Sequence, residues 1–147
     1  MVFLAMVGGL VLEDEIDAVR KEAIKLKSEG VNIIIALGHS GYNLDKRLAA
    51  EVGQVDVVIG GHSHSFLYTG DVPSNEGAEG DYPTVINQTG GDIALVLQEY
   101  AYSKYLGYIN ITFSDDGKVL SWAGQPVLLD SSIQQGNQCM MFDRCKI

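Results

Sequence analysis

The chain has 147 residues, 46% of them hydrophobic and 20% charged, with 17 Gly, 3 Pro and a formal net charge of -9. That composition fits one ordinary globular domain and excludes a collagen-like or disordered chain. At this length roughly two thirds of the unfolded surface is buried on folding, so neither a disulfide framework nor a structural metal is required. With 19 acidic residues against 10 basic ones, the clustered Lys and Arg that attract phosphate backbones are missing. Neither nucleic acid nor an anionic membrane surface is an expected partner.

No run approaches the roughly 18 apolar residues of a transmembrane helix, so no transmembrane segment is expected and a soluble chain is. Met1 to Leu10 is apolar but lacks a basic start and is broken by Gly8 and Gly9, which makes it a poor secretory signal. Leu12 to Lys27 carries Ile16, Val19, Ala23 and Leu26 at helical spacing. Glu13, Asp14 and Glu15 open it, and Lys25 and Lys27 close it. That polarity suits the helix dipole, and Gly30 stands where a left-handed residue stops a helix. Val31 to Leu37 is a short, β-branched apolar run and reads as a buried parallel strand. A second helix is expected over Asn43 to Val52, with Leu44, Leu48 and Val52 on one face. A second strand follows over Val55 to Ile59. The order helix, strand, helix, strand predicts a parallel pair with a right-handed crossover, the unit of a layered α/β fold.

Thr69 to Pro83 is polar, with Gly and Pro throughout, and should be a long exposed loop. Beyond it the chain turns mainly β, with strands expected at Thr84 to Asn87, Ala94 to Ala101, Gly107 to Phe113 and Lys118 to Trp122. Asp115-Asp116-Gly117 is a hairpin turn between the last two. Two N-x-[ST] sequons occur, at Asn87-Gln88-Thr89 and Asn110-Ile111-Thr112. The two cysteines, Cys139 and Cys145, lie near the end, and whether they pair is not readable from spacing.

All three histidines fall in the loops that leave the two parallel strands, His39 after the first and His62 and His64 after the second. Parallel strands deliver both loops to one sheet edge. Neutral imidazole is a common metal ligand, and residues i and i+2 of an extended segment point the same way, so a shared metal site is one reading. A solvated or capping role for each histidine is the other. Gly38, Gly41, Gly60 and Gly61 allow tight turns and close approach at this edge. No G-x-S-x-G elbow, GxGxxG motif or P-loop is present.

Two segments carry a resemblance. Ile33-Ile34-Ile35-Ala36-Leu37-Gly38-His39-Ser40-Gly41 is one, and the run from Val55-Asp56-Val57-Val58-Ile59-Gly60-Gly61-His62-Ser63-His64 to Gly70 is the other. Together they resemble the animal 5'-nucleotidase and apyrase family of calcineurin-like metallophosphoesterases. The similarity runs from about Leu10 to about Gln135 and takes in Leu12-Glu13-Asp14-Glu15-Ile16, Tyr105-Leu106-Gly107-Tyr108 and Pro126-Val127-Leu128-Leu129. It implies an α/β fold that is part of a four-layered α/β/β/α metallophosphoesterase domain: a parallel βαβ unit followed by a mainly antiparallel β half. It also implies two divalent metals, usually zinc, per complete domain. His39 matches the histidine of the family's GH motif and His62 that of its GGH motif, both ligands of one metal. His64 matches a position held by Asn, Gln or His that serves the other.

The family's Asp-x-His pair, bridging Asp and Asn-His-Glu segment have no counterpart in the chain, so no catalytic residue is assigned and the substrate-binding residues stay unknown. Residues 10–135 are therefore expected to be the second half of the catalytic domain, with 1–9 and 136–147 unmatched. The chain reads as a fragment or short isoform of a metal-dependent nucleotidase, inactive alone, whose parent hydrolyses nucleotides such as AMP or ADP outside the cell or at its surface. The alternative is a non-catalytic interaction or decoy protein, with dimerisation through exposed sheet edges.

Overall fold

The computed structural model describes residues 12–133. The two chain ends, with Met1 to Leu10, the tail 136–147 and the cysteines Cys139 and Cys145, lie outside the described residues.

The first helix, α1 (Glu15–Ser28), forms where the apolar spacing and the charge polarity placed it. It begins at residue 15 rather than 12 because the Asp14 carboxylate caps it, accepting the N–H groups of Ile16 at 3.0 Å and Asp17 at 3.2 Å. Glu15 and Asp17 occupy its first turn and Lys25 and Lys27 its last. Gly30 follows at φ +91°, a left-handed position that favours glycine. Ile16 and Ala23 are buried, and Val19 and Leu26 pack against the same core.

The next elements are β1 (Ile35–Leu37), α2 (Tyr42–Glu51) and β2 (Val57–Ile59), followed by β3 (Thr84–Asn87) and β4 (Ile93–Leu97). They build one sheet in the order β1-β2-β4-β3. β1, β2 and β4 run parallel, and β3 closes the far edge antiparallel to β4. The parallel pairing of β4 with β2 joins the chain's second half to the βαβ unit in a single sheet. β2 and β4 lie at the centre and are buried on both faces, with Val57, Val58, Leu95 and Val96 essentially inaccessible. This is the environment that selects continuous apolar runs. Burying each such side chain contributes about 1.5–3 kcal/mol.

The expectation of a buried strand at Val31 to Leu37 is corrected. Only Ile35–Leu37 pair, at the sheet's edge, where Ile35 is 55% and Leu37 82% exposed. Ile34 precedes the ladder and meets Asp56, whose carboxylate accepts the Ile34 N–H at 2.8 Å while the Asp56 N–H donates to the Ile34 carbonyl at 2.9 Å.

The remaining strands are β5 (Tyr105–Leu106), β6 (Asn110–Phe113), β7 (Val119–Ala123) and β8 (Val127–Leu128). β6 and β7 form the expected hairpin, with Gly117 at φ +89° in its turn. The β5·β8 pair is antiparallel and was not anticipated. The stretch 69–83 is mostly exposed but is tied down at both ends. Leu67 bridges Gly80, Tyr82 is buried, and the Glu76 carboxylate receives the Lys104 ammonium and, at 2.9 Å, the Tyr105 hydroxyl. Phe66, Tyr68 and Tyr105 form a small aromatic core beneath it.

Candidate active site

Because β1 and β2 are parallel, the loops that leave Leu37 and Ile59 emerge side by side, in register at Leu37↔Ile59. The first loop carries His39 and leads through Gly41 into α2. The second carries His62, Ser63 and His64. The imidazoles of His39 and His62 meet edge to face, with ring centroids 5.5 Å apart.

Side chains from both loops stitch this corner together. α2 has no capping side chain of its own at Gly41; instead Ser63 Oγ, from the other loop, accepts the Tyr42 N–H at 3.0 Å. Ser63 and Ser65 hydroxyls lie 2.9 Å apart, and Ser65 Oγ donates to Glu79 at 2.9 Å. At the centre is Gln98, 1% exposed, at the end of the apolar run of β4. Its Oε1 accepts the Ser63 hydroxyl at 3.0 Å and the Ser65 N–H at 2.6 Å. Its Nε2 donates to the Gly61 carbonyl at 3.2 Å and reaches Asp45 Oδ2 at 3.5 Å.

Asp45 lies on α2 and is 2% exposed. Burial pushes its carboxyl above the ordinary carboxylate range, and the nearby His39 opposes that shift. Neither Asp45 nor Gln98 was a candidate from sequence. A signal was present for both: Asp45 falls in the helical row Tyr42, Asp45, Ala49, Val52, which faces the core, and Gln98 is the polar residue ending an apolar strand. A buried polar group is the informative exception to apolar patterning.

Two glycines set the clearances. A Cβ on Gly60 would overlap the Asp45 carboxylate and come within 3.2 Å of Gln98 Nε2, and a Cβ on Gly61 would lie 2.6 Å from His39 Nδ1. The close approach expected of the glycines holds at these two positions.

The route to a shared site through extended backbone does not hold, because His62 and His64 have φ of +73° and +56°. Left-handed residues break the rule that i and i+2 point together. His64 packs edge to face on Tyr102 at 5.3 Å, whereas His62 stays with His39. Tyr100, Tyr102 and Ser103, in the segment between β4 and β5, are left-handed as well, so among the described residues every non-glycine with positive φ follows either β2 or β4. Among the described residues no group of three or more His, Cys, Asp or Glu side chains is gathered closely enough to hold a metal ion. The donor type suits a divalent metal nonetheless: two neighbouring imidazoles, with Gly61 leaving room beside His39, are nitrogen ligands of the kind such ions take.

The chain is similar in sequence and fold to known proteins. Snake venom 5'-nucleotidase of Naja atra is 52% identical over 126 residues, covering 86% of this chain and 24% of that protein. The 5'-nucleotidase of Homo sapiens is 52% identical over 134 residues, covering 90% of this chain and 23% of that one. The chain belongs to the 5'-nucleotidase family. Its fold agrees: a 5'-nucleotidase precursor from Thermus thermophilus superimposes with a TM-score of 0.74 at 31% identity, over 85% of this chain and 24% of that one. The NAD nucleotidase of Haemophilus influenzae gives 0.79 at 27% identity, over 84% and 22%. No family model matches. The chain thus spans under a quarter of the length of the curated relatives it matches, and among the described residues no helix is long and apolar enough to cross a membrane.

Proposed function

We propose that this chain supplies the histidine-bearing part of a metal-dependent 5'-nucleotidase site that hydrolyses nucleotides such as AMP or ADP outside the cell or at its surface. The observation that carries this reading is the His39–His62 pair at adjoining strand ends, in a chain about half identical to 5'-nucleotidases. In it, residues 10–135 belong to the catalytic domain. His39 and His62 hold one divalent metal, zinc, and His64 turns from Tyr102 to serve a second. Such metals polarise a phosphoryl group and make water acidic enough to attack it near neutral pH. The chain's own residues do the rest. Gln98 and Ser63 fix the two loops against each other, and α2 begins in the same corner with the positive end of its dipole, which favours an anionic phosphoryl group.

The 147-residue chain alone is expected to bind zinc weakly and to release phosphate from AMP or ADP at no more than the background rate, because two imidazoles leave most of a dinuclear site to other donors. Calorimetric zinc titration and a phosphate-release assay test this. His39→Ala or His62→Ala should each weaken zinc binding more than about a hundredfold, since even groups that merely orient a ligand are worth 10–100-fold. Unchanged zinc binding in both variants sinks the site, and robust turnover by the isolated chain sinks the inactivity.

One observation favours the second reading, a non-catalytic interaction protein. The outer edge of β1 exposes Ile35 and Leu37 beside an apolar groove lined by Val19, Leu26 and Ile34. An open apolar edge strand is a template for pairing with another chain. Sedimentation should then show a dimer that Leu37→Lys dissociates; a monomer at all concentrations removes this reading.

A further inference from the structure

The two sequons are not absorbed by the nucleotidase site, and the fold treats them alike. In Asn87-Gln88-Thr89 the middle residue is buried, its amide donating at 2.9 Å to the carbonyls of Ala49 and Val55, while Asn87 and Thr89 are exposed on either side. In Asn110-Ile111-Thr112, Ile109, Ile111 and Phe113 of the β6 segment pack against the core while Asn110 and Thr112 are exposed. Each motif therefore leaves its amide and its hydroxyl exposed to solvent, on the outer face of β6 by period-two alternation for Asn110 and Thr112, and at the end of β3 and in the turn that follows for Asn87 and Thr89.

From this geometry we propose that Asn87 and Asn110 are acceptors of N-linked oligosaccharide. The donor is an oligosaccharide carried on a lipid pyrophosphate. The asparagine Nδ2 forms a bond to the anomeric carbon of the first sugar, the bond from that carbon to the pyrophosphate oxygen breaks, the lipid pyrophosphate leaves with the electron pair, and Nδ2 gives up one proton to a base.

Both positions tolerate a large substituent. Asn87 pairs with Ile93, the first residue of β4, whereas the histidine loop follows Ile59, which pairs with Leu97 at the other end of β4. Four residues of strand, about 13 Å, separate a glycan on Asn87 from the histidine corner. β3 is the outer strand of its sheet, so a glycan there also screens an edge that would otherwise invite pairing.

The proposal rests on the extracellular reading, and the experiment separates the two. The full chain is expressed in animal cells with and without an added secretory leader. With the leader, it is expected to run in two mass steps above the bare polypeptide, both removed by peptide N-glycosidase with conversion of Asn87 and Asn110 to aspartate. Asn87→Gln and Asn110→Gln should each lose one step. Thr89→Ala and Thr112→Ala should do the same, while Thr89→Ser and Thr112→Ser keep it, which separates loss of the acceptor motif from misfolding. A leader-bearing chain without added mass, or with mass that survives the Asn→Gln variants, overturns the proposal. Because the leader is supplied, added mass at these two positions assigns the acceptors by themselves, whatever the location of the nucleotidase site they accompany.

Discussion

Gly60→Ala is expected to destabilise the chain by about 1–3 kcal/mol, whereas its neighbour Gly61→Ala leaves stability nearly unchanged and weakens zinc binding at least about tenfold. The two glycines differ in what stands against them. Gly60 faces the Asp45 carboxylate, which is buried and has Gln98 behind it, so a methyl group has no space that a side-chain rotation can free. Gly61 faces the imidazole of His39, which is exposed and can swing aside. That movement costs little folding energy but takes Nδ1 and the ring plane out of alignment with His62. Urea unfolding should show a lower midpoint at unchanged slope for Gly60→Ala, and wild-type unfolding for Gly61→Ala. Calorimetry with zinc should then separate Gly61→Ala from wild type. Equal midpoints for the two variants would mean that clearance at this corner is not what these positions require.

Much of this architecture was legible in the residues, for reasons that differ by element. α1 carried three independent signals, its apolar period, its charge polarity and its terminal glycine, and only its first turn moved, when Asp14 proved to be the cap. The β6–β7 hairpin was marked by Asp115-Asp116-Gly117. β1 was misread because a β-branched run looks the same whether its outer side is covered or open, and exposure is decided by which strand lies beside it rather than by the strand itself. β5 and β8 were missed because two residues carry no period.

The candidate site divides along the same line. His39 and His62 could be brought together from connectivity alone, since parallel strands deliver successive loops to one edge. The orientation of His64 could not, because histidine, though enriched at positive φ, adopts it only in a minority of cases, so the residue type does not mark the turn as a glycine would. His64 accordingly faces Tyr102. Asp45 lies within α2 and Gln98 directly follows β4, so neither stands among the loop histidines, and polarity at a core position is the only clue the sequence offers for either.

Gln98→Leu is expected to cost about 3 kcal/mol or more and to lower Tm by about 10 °C. Leucine fills similar space, so the penalty comes from hydrogen bonds rather than from a cavity. The buried Ser65 N–H loses its acceptor and Asp45 keeps only what His39 offers, while the Gly61 carbonyl loses one of its two donors and retains the Ser63 N–H at 2.9 Å. Each buried polar group left without a partner costs about 1–3 kcal/mol. Gln98→Glu separates the parts of this network. It keeps an acceptor for Ser63 and Ser65 but turns the donor toward Asp45 and the Gly61 carbonyl into a second carboxylate, so the two acids oppose each other in a buried setting. Its loss should therefore be smallest at acid pH, where one of the pair is neutral, and should grow toward neutral pH, whereas the deficit of Gln98→Leu follows no such course. Thermal melts of both variants at acid and neutral pH check this. If Gln98→Leu melts with wild type, Gln98 does not hold the histidine loops together, and the alignment of His62 with His39 must depend on Ser63 and the start of α2 alone.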